Sequence, residues 1–363
     1  MDLITLMQDF MLTEAVSGYE SKMASKMKTQ FEPFAQEVTI DRIGNTIARF
    51  DGEDPDAPVV MVFAHVDQLG FIVRKIEENG LIQVDRLGGI PEKVLPALQV
   101  SVRTIDGGYV PGVFAIKAHH ATPPEEKYKV DLVTSLFVDI GAKNRKQVLD
   151  AGIHIGCPMC YNPSFSRLMG TMVSGTAVDD RGGCAALVGI AENLARQRPK
   201  STTYLVASVW EEFNLRGAII AARQIHPDLA ICIDVALSGD TPDLTNRYET
   251  ALSNGPTVGL YNFHGRGTLN GTIAHNGLYR HALSCAEKEG INVQEFAALG
   301  MLTDNAYVQL EGLYTACIDM GFPARYTHSP IEMCDVQDIE ELVRLISSMV
   351  FSMDRHFNLS RFE

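Results

Sequence analysis

Three long apolar runs end abruptly on residues that carry charge or can bind metal, and this pattern restricts the fold more than any other feature. Pro58–Ala64 leads into His65-Val-Asp67, Thr203–Trp210 into Glu211-Glu212, and Leu229–Ile233 into Asp234. A run without polar alternation predicts a strand covered on both faces, as in a parallel sheet with helices on either side. In open α/β sheets, ligands bind in the crevice beyond the carboxyl ends of such strands. The three runs are therefore expected to point His65, Glu211/Glu212 and Asp234 toward one edge.

Two adjacent carboxylates at the end of a buried strand are costly, because a buried ionised group without a cation or donors to compensate it is strongly destabilising. A metal ion is the leading candidate for the missing positive charge. Two more segments supply matching donors. Gly175-Thr-Ala-Val-Asp179-Asp180-Arg-Gly-Gly183 precedes the apolar stretch Cys184 to Ala195, which predicts that both aspartates stand at the start of a helix. Pro323-Ala-Arg-Tyr-Thr-His328-Ser-Pro330 places a histidine in a turn-rich loop before a second long helix, Val336 to about Met353. Histidine and carboxylate without thiolate suit zinc, cobalt or manganese.

With these segments in order, the chain resembles the tetrahedral (TET) aminopeptidases, the glutamyl-aminopeptidase-like family of dinuclear metallopeptidases. The resemblance rests on His65-Val-Asp-Gln-Leu-Gly70, Ala177-Val-Asp-Asp-Arg-Gly-Gly183, Glu211-Glu-Phe-Asn-Leu-Arg-Gly-Ala218, Asp234-Val235, Leu302-Thr-Asp-Asn-Ala306 and Arg325-Tyr-Thr-His-Ser-Pro330. It implies an α/β fold, a mixed-sheet α/β/α metallopeptidase domain holding two divalent metal ions, Zn2+ or Co2+ first and Mn2+ next. Asp179 would bridge the ions, His65 and Asp234 would complete one site, and Glu212 and His328 the other. Glu211 would be the general acid/base, and Asp67 would hydrogen-bond the far nitrogen of His65. A pair of divalent ions can activate water and stabilise a developing oxyanion, and a free α-amino group held beside them would direct cleavage to the first peptide bond.

Four positions depart from the family pattern: Gln68 for Glu, Asn214 for Gly, Leu302 for Gly, and Asn305 beside the Thr-Asp step. None removes a ligand of the implied set, and Gln68 and Asn214 bear on the shape and polarity of the substrate pocket. Asp180 reads as a partner of the helix start rather than a ligand, since carboxylates favour helix N-termini. Arg216 and Arg325 read as loop braces.

From about Phe71 to Arg167 the pattern changes to short alternating runs, including Leu81–Asp85, Leu98–Arg103 and Gly112–Lys117. Such runs predict a small β-barrel-like domain. It falls between the first and second ligand segments, so the expected division is a discontinuous catalytic domain, 1–70 and 168–363, with 71–167 inserted. The resemblance implies that such an insertion serves dimerisation and assembly into a twelve-subunit shell.

A formal charge of −14 with no evident basic patch argues against nucleic acid or an anionic membrane as partner. Leu3, Leu6, Met7, Phe10 and Met11 are spaced for an amphipathic helix rather than a secretory signal, so the chain is expected to be cytoplasmic. Seven scattered cysteines fit reduced core thiols, and Cys157-Pro-Met-Cys160 lacks the second pair a structural zinc site needs. His119-His120 is expected on an extended strand, where neighbours face opposite ways. The leading expectation is a metal-dependent aminopeptidase acting on short peptides. The rivals are an amidohydrolase or deacylase acting on a small acylated compound, and a non-enzymatic assembly subunit of the same fold.

Overall fold

The computed structural model describes residues 2–265 and 269–362. Among these residues the apolar runs form the centre of a nine-stranded mixed sheet. Val60–His65 pairs in parallel with Thr203–Ser208 on one side and Leu229–Leu237 on the other, and Leu229–Leu237 pairs in parallel with Ala316–Ala324. Thr46–Phe50 and Thr257–Phe263 flank these four strands in antiparallel pairing. Every residue of Val60–His65 is buried, as a strand covered on both faces requires.

Strand parity sorts the residues into two cores. Val60, Val62 and Ala64, with Leu229, Ile231 and Ile233, pack into the larger core. It also takes in the helices Leu3–Met11, Val178–Arg196 and Val336–Ser352. Met61, Phe63, Ala230 and Cys232 face the other way, into a smaller core with Ala218, Ala221 and Val308. The two short helices Gly217–Ile225 and Asn305–Val308 cover that face. By the same alternation, His65 and Asp234 project from the thinly covered side, where space remains beyond the strand ends.

Between the first and second ligand segments the chain closes into a barrel. Gly70–Ile76, Ile82–Leu87, Gln99–Arg103, Tyr109–Phe114, Val138–Asp139 and Pro158–Tyr161 are its strands. Phe71, Val84, Val102, Phe114 and Met159 fill a separate apolar core inside it. The third strand anticipated in this region starts earlier than its apolar pattern indicates, because Pro111 is accommodated within the ladder opposite Ser101. Phe165–Arg167 leaves the barrel and joins Met172–Gly175 and Glu332–Asp335 in a three-stranded sheet.

The N-terminal helix buries Leu3, Leu6, Met7, Phe10 and Met11, and Asp2 caps its first turn. All seven cysteines are free and buried. His119 and His120 stand on a short 3-10 turn, not on a strand, with ring centroids 5.6 Å apart. No helix among the described residues is long and apolar enough to cross a membrane.

The parallel pair Leu229–Leu237 and Ala316–Ala324 places Gly321 opposite Asp234. A Cβ on Gly321 would fall 1.7 Å from the Asp234 carbonyl oxygen, so any side chain there must push the two central strands apart. Gly321→Ala is expected to lower unfolding stability by about 1–3 kcal/mol or more. A denaturant midpoint equal to the wild type's would contradict this packing.

Candidate metal centre

Strand ends and one helix start bring the site together. His65 ends its strand, Asp234 lies near the end of the neighbouring one, and Asp179 stands in the non-helical kink just before the regular part of the long helix Val178–Arg196. Glu211 and Glu212 follow the strand Thr203–Ser208, and His328 comes from the loop after Ala316–Ala324. Two sets of closely approaching donors result among the described residues. His65, Asp179 and Asp234 form one, Asp179, Glu212 and His328 the other, and within each set the donor atoms lie within 4.8 Å of one another. Asp179 belongs to both. Its Oδ1 is 2.9 Å from His65 Nε2, and its Oδ2 is 3.7 Å from His328 Nε2.

The far nitrogens are held by main-chain oxygens. His328 Nδ1 lies 2.8 Å from the Gly89 carbonyl, at the edge of the barrel, which leaves Nε2 to face Asp179 and Glu212. His65 Nδ1 lies 3.1 Å from the Asp67 carbonyl oxygen, whereas the nearest Asp67 carboxylate oxygen is 3.6 Å away. That carboxylate accepts hydrogen bonds from the Glu211 and Glu212 main-chain N–H groups, at 3.0 and 3.1 Å, and from Ser17 Oγ at 2.6 Å. Asp67 therefore fixes the turn that carries both glutamates. Holding the second nitrogen of a ligating imidazole is the usual way to set its tautomer.

The electrostatics show a shortage of positive charge. Burial, reinforced by neighbouring carboxylates, pushes Glu211, Glu212 and Asp234 well above the ordinary carboxylate range. Burial alone would depress His65, but the adjacent Asp179 and Asp67 carboxylates outweigh it and raise its affinity for a proton. Asp179 is held below its usual value despite burial, chiefly by His65. An all-oxygen-and-imidazole donor set with excess buried negative charge fits divalent ions such as zinc, cobalt or manganese. Glu211 belongs to neither donor set, and its Oε2 lies 4.0 Å from His65 Nε2.

Several supports carry no motif of their own. Glu332 is buried, and its two oxygens accept the main-chain N–H of Asp179 at 3.0 Å and of His328 at 2.6 Å, tying two donors together. Arg181 is fully buried beneath the site and donates to the Val66 and Thr13 carbonyls and to Gln68 Oε1. Glu20, pushed up to about 8 by burial and by Asp67, receives the Gly18 N–H. Burial raises Asp304 to about 7, and it accepts from Ser208 Oγ.

The four departures now have places. Gln68 joins Arg181 to the Ala15 N–H. Asn305 holds Asp319 Oδ1 at 2.7 Å. Asn214 has φ of +72°, a left-handed conformation that glycine adopts freely and asparagine better than most residues. Asn214 and Leu302 both line a cavity of about 680 Å³ that opens over the carboxylates. Asp180 accepts the Gly183 N–H in the first turn of the helix. Arg325 forms a two-pronged pair with Asp240, and Arg216 stacks over Phe213 and Trp210.

Comparison with known proteins agrees with this architecture. The family model described as M42 glutamyl aminopeptidase matches residues 44–345. SgcX of Escherichia coli strain K12 is 40% identical over 94% of this chain and 92% of its own length. The lysyl aminopeptidase of Pyrococcus furiosus is 30% identical over 95% of this chain and 96% of its own length. Among solved structures, the TET1 peptidase of Pyrococcus horikoshii, which assembles into a tetrahedron or a large octahedral shell, superposes with a TM-score of 0.84. It is 26% identical, covering 97% of this chain and all of that one.

Arg181 satisfies the buried Val66 and Thr13 carbonyls and Gln68 Oε1 beneath the site. Arg181→Met leaves those three buried acceptors without their donor and is expected to cost about 2–5 kcal/mol of stability, at about 1–3 kcal/mol for each unsatisfied group. Denaturant unfolding of the purified variant checks it, and a loss below about 1 kcal/mol would show that the cation is not needed there.

Proposed function

The chain belongs to the M42 glutamyl aminopeptidase family and is a peptide-bond hydrolase, and we propose that it removes the N-terminal residue of short peptides at a two-metal centre. His65, Asp179 and Asp234 would hold one divalent ion, and Asp179, Glu212 and His328 the other. The observation that carries this reading is the sharing of Asp179 between two donor sets, each with one imidazole and a second carboxylate. Bound there, such a pair supplies Lewis acidity to the water and to the scissile carbonyl.

The remaining steps fall to this chain's own side chains. Glu211 takes the proton of the attacking water on its carboxylate and returns it to the departing amine. Its position outside both donor sets leaves its oxygens available for that transfer. A raised proton affinity, caused by burial, suits a group that must both accept and release a proton. Asp67 keeps Glu211 and Glu212 in register through their main-chain N–H groups, and Glu332 does the same for Asp179 and His328. A free amino terminus held beside the ions would place the first peptide bond at the reacting end.

We further propose a cytoplasmic homo-oligomer of twelve chains, with residues 71–167 as the assembly domain and no nucleic acid or membrane partner. The exposed side chains Ile105, Ile116, Tyr128 and Leu132 on this segment suit a subunit contact, and the related TET1 peptidase forms closed shells.

Glu211→Gln tests the proton-transfer role. After loading with zinc, cobalt or manganese, the variant is expected to keep the wild-type metal content and to lose about 10²- to 10⁴-fold in kcat on aminoacyl-p-nitroanilides. Undiminished turnover would move proton transfer to another group. Cleavage of N-acyl amino acids alone by the wild type would reject the peptidase reading.

A further inference from the structure

The names of the relatives do not fix which terminal residue this chain removes, since a lysyl aminopeptidase stands among them and the family model is described by its glutamyl activity. The cavity wall does constrain it. We propose that this chain selects substrates whose N-terminal residue is uncharged and apolar, of about leucine or methionine size, with Leu302 as a specificity-determining residue. The inference deepens the aminopeptidase reading and rests on it.

The amino group, side chain and scissile carbonyl of a terminal residue radiate from one Cα. Holding the amine and the carbonyl at the carboxylates therefore confines the side chain to the adjoining wall. Part of that wall is apolar, although Asn214, His264, Tyr307 and Thr327 also line the cavity. Leu237, further along the strand that carries Asp234, lines the cavity, and Val235 borders it from the larger core. Leu215 lines it too, and its N–H donates to the Glu211 carbonyl at 2.9 Å, so it lies one turn from the proposed base. Met301 and Leu302 arrive just ahead of Thr303 and Asp304, and Leu302 presents a side chain where the resembled pattern has glycine.

A cationic side chain fares worse. Apart from Asp179, Glu211, Glu212 and Asp234, no carboxylate of the described residues lines the cavity. A lysyl side chain would be desolvated there without a counter-charge. Arg86 lines the cavity from the barrel and is exposed; it donates to the Ile90 carbonyl at 3.0 Å and stands 4.0 Å from Glu92. A glutamyl side chain has Arg86 and His264, whose Nδ1 is buried without a partner among the described residues, as candidate partners, and it is the competitor that the substrate panel must separate.

The test is a panel of leucyl-, methionyl-, glutamyl- and lysyl-p-nitroanilides with the metal-loaded wild type, Leu302→Ala and Leu302→Glu. The wild type should favour the leucyl and methionyl substrates by about tenfold or more in kcat/KM, the scale of discrimination that apolar pockets reach. Leu302→Ala should reduce that preference mainly through KM, as loss of uniform binding does. Leu302→Glu should raise the lysyl substrate relative to leucyl, a change of ranking that misfolding does not produce. Glutamyl or lysyl preference in the wild type, or a ranking unmoved by both variants, would overturn the inference while leaving the aminopeptidase reading intact. Failure to cleave any aminoacyl substrate would overturn that reading and this inference with it.

Discussion

Buried negative charge in want of a cation governs this molecule. Asp179, Glu211, Glu212 and Asp234 converge beyond the ends of buried strands, with Asp67, Asp180, Asp304 and Glu332 just behind them. Burial makes ionised carboxylates costly unless donors and cations offset them. The protein supplies part of the offset itself. Main-chain N–H groups reach Asp67, Glu332 and Asp180, and one fully buried guanidinium, Arg181, lies beneath. The carboxylates left over are the ones gathered around Asp179, where burial first and neighbouring carboxylates second drive proton affinities upward.

The fold is arranged to keep that concentration of charge in place. Four parallel central strands bury apolar residues on both faces and bring His65, Glu211, Glu212 and Asp234 to or near their carboxyl ends. Strand alternation turns His65 and Asp234 toward the side covered by two short helices, where a cavity can form. The barrel takes part as well. Its loop offers the Gly89 carbonyl to His328, and a Cβ on Gly89 would stand 3.2 Å from His328 Nδ1, so a glycine there lets the loop come close to the imidazole. The barrel therefore shapes the site even though the donor side chains come from outside it.

Much of this was legible in the sequence, because the strongest constraints are local. Continuous apolar runs must become doubly buried strands, so the positions of His65, Glu211 and Asp234 followed from where the runs stop. The helix from Leu3 and the one from Val336 followed from apolar spacing. The supports were harder to see. Nothing around Glu332 separates a buried splint from a surface glutamate, since its role depends on two N–H groups far apart in the chain. Its position four residues after His328 was the available signal. Arg181 lay inside a motif, but its depth is set by the carbonyls of Thr13 and Val66, which only the folded chain brings near. For Asp67 the partner was legible and the atom was not: the carbonyl faces His65, and the carboxylate faces the glutamate turn.

One measurement bears most directly on the proposal that Asp179 is shared by two ions. Metal content by mass spectrometry should be compared for wild type, Asp234→Asn and Asp179→Asn after identical loading and dialysis. A shared ligand predicts two ions in the wild type, a loss confined to one site in Asp234→Asn, and depletion of both sites in Asp179→Asn. Full retention of two ions by a folded Asp179→Asn protein would contradict the bridging role and the two-metal account built on it.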